Sequence, residues 1–121
     1  LDQALAGLFT DLKERGMMDN TLVVVTGEFG RTPKVLTQKP PGRQHWPKCF
    51  SSIIAGCGIA GGNVYGKSDK TGASVTSNPV RPEELAATIY HALDIPLNAP
   101  QNNTGIRVPL TTGKPVLDLF G

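Results

Sequence analysis

The chain has 121 residues, of which 39% are hydrophobic and 18% are charged, and its formal net charge is +2. This length fits one domain or a part of a larger one, and this balance excludes a chain kept disordered by its own charge. Lys and Arg are scattered and only seven residues are aromatic, which argues against nucleic-acid binding. No apolar run approaches the roughly 20 residues that span a bilayer, so we predict no membrane span.

The first third of the chain has the pattern of a helix followed by a strand. Apolar residues recur at helical spacing over residues 1–12, and Gly16 is well placed to end the helix in a left-handed conformation. Residues 21–26 form an unbroken, largely β-branched run that is apolar on both faces, which predicts a central strand of a parallel sheet. Four prolines in residues 31–48 remove backbone donors and predict a long loop without regular structure.

The remaining elements alternate between strand, loop and helix patterns. Residues 50–55 predict a second strand, followed by a glycine-rich turn, and residues 66–81 are polar and predict another loop. Pro82 and the acidic residues after it mark the start of a helix that runs to Leu93. A turn is predicted at Asn102-Asn103. This order of elements indicates a layered α/β architecture.

The two cysteines, Cys49 and Cys57, do not have the spacing of a metal-binding pair. We interpret them as small, buried residues. A disulfide between them is the alternative.

Glu28 and Arg31 follow the predicted first strand directly. In an open α/β sheet, ligands bind beyond the carboxyl ends of the strands, so the strand would deliver Glu28 to such an edge. Arg31 is a fork-shaped donor suited to phosphate, sulfate or carboxylate. The alternative is an ion pair between Glu28 and Arg31 that locks the loop.

His45 lies in the long loop behind Arg43, and a neutral imidazole there would be able to bind a metal or move a proton. The alternative is a histidine that packs against Trp46. His91 falls within the last helix, and we interpret it as a surface or packing residue. One glutamate and one histidine are too few for a metal centre or a covalent mechanism, so the rest of any active site lies outside these residues.

Two glycine-framed blocks resemble the signatures of a known family: Gly27-Glu28-Phe29-Gly30-Arg31-Thr32-Pro33 and Gly42-Arg43-Gln44-His45-Trp46-Pro47. Later segments agree with the same family, namely residues 55–62, 80–93 and 108–116. On these motifs, the chain resembles the bacterial domain-of-unknown-function family 1501 over nearly its whole length. That family is grouped with the alkaline phosphatase and sulfatase superfamily.

The resemblance implies a fold, a site and a location. The fold would be the C-terminal portion of one alkaline-phosphatase-like α/β domain over residues 1–121, with a layered, mixed, mostly parallel sheet flanked by helices. Glu28 and His45 would help to bind a divalent metal (Ca, Zn or Mg), and Arg31 and Arg43 would contact substrate. No catalytic residue would lie in this segment, because the nucleophile belongs to the upstream part of the same protein. The family often carries a twin-arginine export signal, which implies an exported or periplasmic protein.

Two positions depart from this pattern. Phe29 stands where the superfamily commonly has a metal-binding histidine, so one expected ligand is missing. Gln44 stands where the family more often has an aspartate.

Three hypotheses follow. In the first, the chain is the C-terminal part of a metal-assisted hydrolase of sulfate or phosphate esters, with a small molecule or a glycan as the substrate. In the second, it is a non-catalytic binding or structural relative that has lost the metal. In the third, it is no functional unit alone, and we expect the isolated 121-residue chain to aggregate or to be only partly folded.

Overall fold

The computed structural model describes residues 1–98 and 108–121, and the chain divides into two compact units. Unit 1 comprises Leu1–Val23, Ile54–Asn63 and Arg81–Gly121, and unit 2 comprises Val24–Ile53 and Val64–Val80. The turn predicted at Asn102-Asn103 lies outside the described residues. Among the helices of the described part, none is long and apolar enough to cross a membrane.

Regular structure in the described residues consists of two α-helices, two short 3-10 helices (Met18–Asn20 and Leu117–Leu119) and six short strands. The α-helices are α1 (Asp2–Glu14) and α2 (Pro82–Ala92). The strands are β1 (Val23–Val25), β2 (Gly30–Arg31), β3 (His45–Trp46), β4 (Ile53–Ala55), β5 (Lys67–Ser68) and β6 (Val75–Ser77). They form three two-stranded sheets, in which β1 pairs with β4, β2 with β3 and β5 with β6. The β2–β3 and β5–β6 pairs are antiparallel.

The predicted layered, mostly parallel sheet of an alkaline-phosphatase-like fold was wrong. The apolar run at residues 21–26 does contain a strand, but β1 has three half-buried residues and one partner strand. A β-branched run favours extended backbone, whereas the number of strands beside it depends on the rest of the chain. The loop predictions were also wrong in part, because β2 and β3 flank the proline-rich segment and β5 and β6 lie within residues 66–81.

The first helix follows the sequence pattern. Leu12 is its buried residue, and Asp11 and Arg15 form an exposed ion pair one turn apart, with 2.8 Å between Arg15 Nε and Asp11 Oδ1. Gly16 has a φ of +66°, and the Met17 N–H reaches back to the Leu12 carbonyl oxygen at 2.8 Å. The left-handed end predicted from Gly16 is therefore confirmed.

The second helix is also confirmed, and a buried hydroxyl joins it to the C-terminal tail. Pro82 occupies the first turn, and the Glu84 carboxylate accepts the Arg81 N–H at 2.8 Å. Thr88 is fully buried; its Oγ1 donates to the Glu84 carbonyl oxygen at 2.7 Å and accepts the Val116 N–H at 3.0 Å. A buried hydroxyl that has both of these partners avoids a desolvation penalty.

The cysteines are less buried than predicted, whereas His91 lies at the surface as predicted. Cys49 and Cys57 are both free thiols and half-buried, so the disulfide is not formed. His91 is exposed, and its ring meets Phe120 edge to face with 4.9 Å between the ring centroids. The surface or packing role predicted for His91 is confirmed.

Gly56 is a position in unit 1 where glycine is required. It is buried, its φ is +90°, and a methyl group on it would overlap the carbonyl oxygen of Thr21. We expect Gly56→Ala to lower the free energy of unfolding by at least about 3 kcal/mol, because steric overlap adds to the unfavourable φ. Equilibrium denaturation of the purified protein measures this change.

Gly62 provides the matched control. Its φ is +78°, but a methyl group there would meet no atom within 4 Å. Gly62→Ala should therefore lower the free energy of unfolding by only about 1–2 kcal/mol, the cost of the left-handed backbone. Equal losses in the two variants would contradict the packing role of Gly56.

Candidate functional site

An antiparallel arm in unit 2, which we name the motif hairpin (residues 30–46), brings three of the four predicted site residues together. Gly30 pairs with Trp46 and Arg31 with His45. The pairing continues through the Thr32 N–H, which donates to the Gln44 carbonyl oxygen at 2.9 Å, and through a bridge between Leu36 and Gly42. The hairpin forms because the prolines of this segment stand outside the paired positions. It places Arg31 opposite His45 and next to Arg43.

The two predicted anion-binding arginines are anchored to the backbone of the motif hairpin. Arg31 Nη1 donates to the Arg43 carbonyl oxygen at 3.2 Å, and Arg43 Nη2 donates to the Arg31 carbonyl oxygen at 3.0 Å. Arg43 Nε also donates to the Thr32 carbonyl oxygen. A guanidinium has five N–H donors, of which Arg31 uses one and Arg43 uses two in this way. Both side chains are exposed, so they retain donors for a ligand.

His45 packs on Phe29, which leads directly into the hairpin. The two rings are stacked, with 3.7 Å between their centroids and 25° between their planes. The Arg31 guanidinium carbon lies 5.6 Å from the centroid of Phe29. Arginine over an aromatic ring contributes about 0.5–1 kcal/mol at an exposed site, so Phe29 helps to hold both side chains. The packing partner of His45 is thus the residue at the position where a metal ligand was expected.

Glu28 stands apart from this network. Its side chain is exposed, and it forms no hydrogen bond or ion pair with any residue of 1–98 or 108–121. The alternative interpretation, an ion pair with Arg31, was wrong. A neighbouring pair of hydroxyls was not predicted: Thr26 Oγ1 donates to the Gly27 carbonyl oxygen at 3.1 Å and shares a hydrogen bond of 2.6 Å with Ser52 Oγ.

Metal binding needs three or four protein ligands in one place. In the part of the chain that the structure describes, no three His, Cys, Asp or Glu side chains gather in a group that would hold a metal ion. Glu28 and His45 by themselves therefore do not fit a metal centre. Their role as metal ligands stays a prediction, and it requires further ligands from outside the described residues.

Trp46 connects the motif hairpin to the loop between β5 and β6. Its indole N–H donates to the Ala73 carbonyl oxygen at 2.7 Å, and the Lys48 ammonium nitrogen lies 5.1 Å from the ring centroid. On the paired strand, a methyl group at Gly30 would overlap the Cys49 carbonyl oxygen. Because Gly30 has no side chain, its strand can approach the Cys49 carbonyl oxygen closely, and Trp46 joins the hairpin to the β5–β6 loop of the same unit.

Asp69 organises the loop that receives Trp46. Its carboxylate accepts the N–H of Thr71, Ala73 and Ser74 at 2.9, 3.0 and 3.0 Å, and the Thr71 hydroxyl at 2.9 Å. These hydrogen bonds lower the pKa of Asp69 below its ordinary value, and the bond from the Ala73 N–H has the largest effect. The sequence had indicated only a polar loop here, although an Asp followed by Lys-Thr-Gly is a turn signal.

Comparison with known proteins identifies the family. The chain belongs to the family described as Protein of unknown function (DUF1501), whose model matches residues 1–120. This confirms the family indicated by the two glycine-framed blocks. No curated protein and no solved structure matches the chain.

The hydrogen bonds of Asp69 predict a pH dependence of stability. Because its pKa is lower in the folded chain than in the unfolded chain, ionised Asp69 stabilises the fold above the ordinary carboxyl pKa, and this contribution is lost as the pH falls through the folded-state value. We expect Asp69→Asn to be less stable at about pH 7 and to lose less stability as the pH falls below the ordinary carboxyl pKa. Denaturation at a series of pH values measures both effects.

Asp118→Asn is the control for this experiment. Asp118 is exposed, and its carboxylate makes no hydrogen bond with the residues of the described ranges. The pH profile of Asp118→Asn should follow that of the parent protein. An Asp69→Asn profile that also follows the parent would contradict the role of Asp69.

Proposed function

We propose that this member of the DUF1501 family contributes the anion-recognising part of a hydrolase that acts on sulfate or phosphate esters. The observation that carries the proposal is the pair of exposed guanidiniums, Arg31 and Arg43, each hydrogen-bonded to the main chain of the other. Planar guanidiniums bind carboxylate and phosphate oxygens bidentately, and a tetrahedral oxyanion has enough oxygens to bind two of them. The ester would belong to a small molecule or a glycan.

Anchoring of the two arginines supports a binding role over a purely structural one. The hydrogen bonds to carbonyl oxygens restrict both side chains before any ligand arrives, which reduces the entropy lost on binding. Carbonyl oxygens leave the full positive charge in place, whereas a carboxylate partner would neutralise it. A positive charge held ready in this way also stabilises the negative charge that develops on the ester oxygens during hydrolysis.

The remaining machinery of the proposed hydrolase would come from residues outside this chain. On the strength of the two motif blocks alone, we place the family with the alkaline phosphatase and sulfatase superfamily and the protein among exported or periplasmic proteins. A divalent metal, if the whole protein binds one, would provide Lewis-acid assistance to ester cleavage. Glu28 and His45 would supply two of its ligands, and the nucleophile would lie upstream.

The anion site predicts the behaviour of two lysine variants. Arg31→Lys and Arg43→Lys in the full-length protein should each weaken the binding of inorganic sulfate and phosphate roughly tenfold, because lysine keeps the charge and loses the planar fork of donors. Isothermal titration calorimetry with each anion measures the change. Arg15→Lys is the matched control, since Arg15 is exposed and pairs with Asp11 in unit 1. Equal affinities in all four proteins would refute the site.

Two observations favour the alternative, a non-catalytic relative that binds an anion. The imidazole of His45 is stacked on Phe29 and no three ligand-type side chains gather in the described residues. A protein of this kind would keep the arginine pair and bind sulfate or phosphate without cleaving its esters. Both functions use the same anion site, but only the hydrolase would also bind a divalent metal.

Metal content and turnover of the full-length protein separate these functions. For the hydrolase, we expect a bound divalent metal, cleavage of an aryl sulfate or aryl phosphate, and a loss of roughly tenfold or more in metal affinity in His45→Ala. His91→Ala is the control histidine, because His91 lies in α2 and packs on Phe120. Metal-free protein that still binds sulfate would favour the alternative, and unchanged metal content in His45→Ala would remove His45 from the ligand set.

A further inference from the structure

Charge is distributed unevenly between the two units. Unit 2 contains seven Lys and Arg residues against two acidic residues, so its formal net charge is +5. Unit 1 contains five basic and eight acidic residues. Between Glu28 and Asp69, the chain has no acidic residue at all. The modest net charge of the whole chain therefore conceals a strongly cationic unit.

The cations of unit 2 are available to solvent. Each of the following is exposed: Arg31, Lys34, Lys39, Arg43, Lys48, Lys67 and Lys70. None of them forms an ion pair in the part of the chain that the structure describes. Of the two acidic residues, Asp69 directs its carboxylate to the N–H groups of its own loop. Uncompensated charge of this kind attracts extended anions and raises their rate of association.

Four of these cations lie on the motif hairpin, which also carries the proposed anion site. Arg31 and Arg43 stand on its paired segments, and Lys34 and Lys39 lie towards its tip. Lys48 lies two residues after the hairpin, over the ring of Trp46. A polymer that places one anionic group at the arginine pair would thus have further cations along the same arm.

The aromatic side chains beside these cations favour a polysaccharide over a nucleic acid. Single-stranded nucleic acids bind to proteins largely by stacking bases on open aromatic faces. On and next to the motif hairpin, the rings of Phe29 and His45 are stacked on each other, and Trp46 is half-buried with Lys48 over its ring. A sulfated polysaccharide needs charge and hydrogen-bond donors, and this surface offers both.

From the net positive charge of unit 2 and the positions of its cations on the motif hairpin, we infer that unit 2 binds an extended sulfated polysaccharide. Arg31 and Arg43 would bind one sulfate group, and the lysines would bind neighbouring sulfate groups. The inference rests on the proposed function for the arginine pair and extends it from a single ester group to a polymer. The lysines outside the pair contribute affinity that depends on polymer length and on salt.

The test compares two double variants of the full-length protein with dextran sulfate as the probe. Lys34→Gln/Lys39→Gln removes two charges from the motif hairpin, and Lys13→Gln/Lys114→Gln removes two exposed charges from unit 1. The hairpin variant should bind dextran sulfate roughly tenfold more weakly at low salt, whereas the control variant should match the parent. Affinity of the parent for dextran sulfate should fall steeply with added salt.

Inorganic sulfate separates failure of this inference from failure of the proposed function. The hairpin double variant should bind inorganic sulfate like the parent, while Arg31→Lys/Arg43→Lys should lose both ligands. If the arginine variant keeps its sulfate affinity, the proposed function is refuted, and with it the assignment of the pair to one sulfate group. If Lys34→Gln/Lys39→Gln and Lys13→Gln/Lys114→Gln lose dextran sulfate affinity equally, the inferred polysaccharide-binding surface is refuted. Equally tight binding of a single-stranded oligodeoxynucleotide of matched charge, or of vesicles of anionic phospholipid, would refute it too.

Discussion

The close approach of backbone at Gly30 is the constraint on which the candidate site depends. Only a residue without a side chain allows β2 to lie against the Cys49 and Trp46 carbonyl oxygens. That approach fixes Gly30 opposite Trp46, and the next pair is then Arg31 with His45. Since a register shift of one residue would move every side chain to the other face, the arginine pair and the ring stack both follow from this position.

Within each unit, hydrogen bonds to the main chain connect the elements, whereas few hydrophobic side chains are fully buried. Among the described residues, Leu12 and Ala87 are the buried hydrophobic side chains, while Val64 is 93% exposed. Unit 1 joins α2 to the tail through Thr88, and unit 2 joins its two hairpins through the Trp46 indole and the Asp69 loop. Such bonds depend on exact partners, which makes each unit sensitive to single substitutions.

Local signals predicted the helices well and the sheets poorly. Gly16 and Pro82 mark helix ends through backbone preferences that act within a few residues, so α1 and α2 were predicted. Strand pairing joins residues far apart in the chain, and nothing in residues 21–26 specifies how many strands lie beside them. The motif blocks contain Arg31, Arg43 and His45, which the hairpin brings together, whereas Glu28 stands apart. The Phe29 stack and the Trp46 bond to Ala73 were missed, because those partners come together only in the folded hairpin.

The main-chain anchoring of Arg31 and Arg43 has a consequence for selectivity among ligands. When a guanidinium forms an ion pair with a carboxylate of the protein, an anionic ligand has to displace that carboxylate in order to bind. Here the partners are carbonyl oxygens, which an incoming anion does not have to displace. Selectivity among anionic ligands at this site therefore depends on the number and spacing of the negatively charged oxygens that each ligand carries. Multiply charged tetrahedral groups gain more from two guanidiniums than a single carboxylate does.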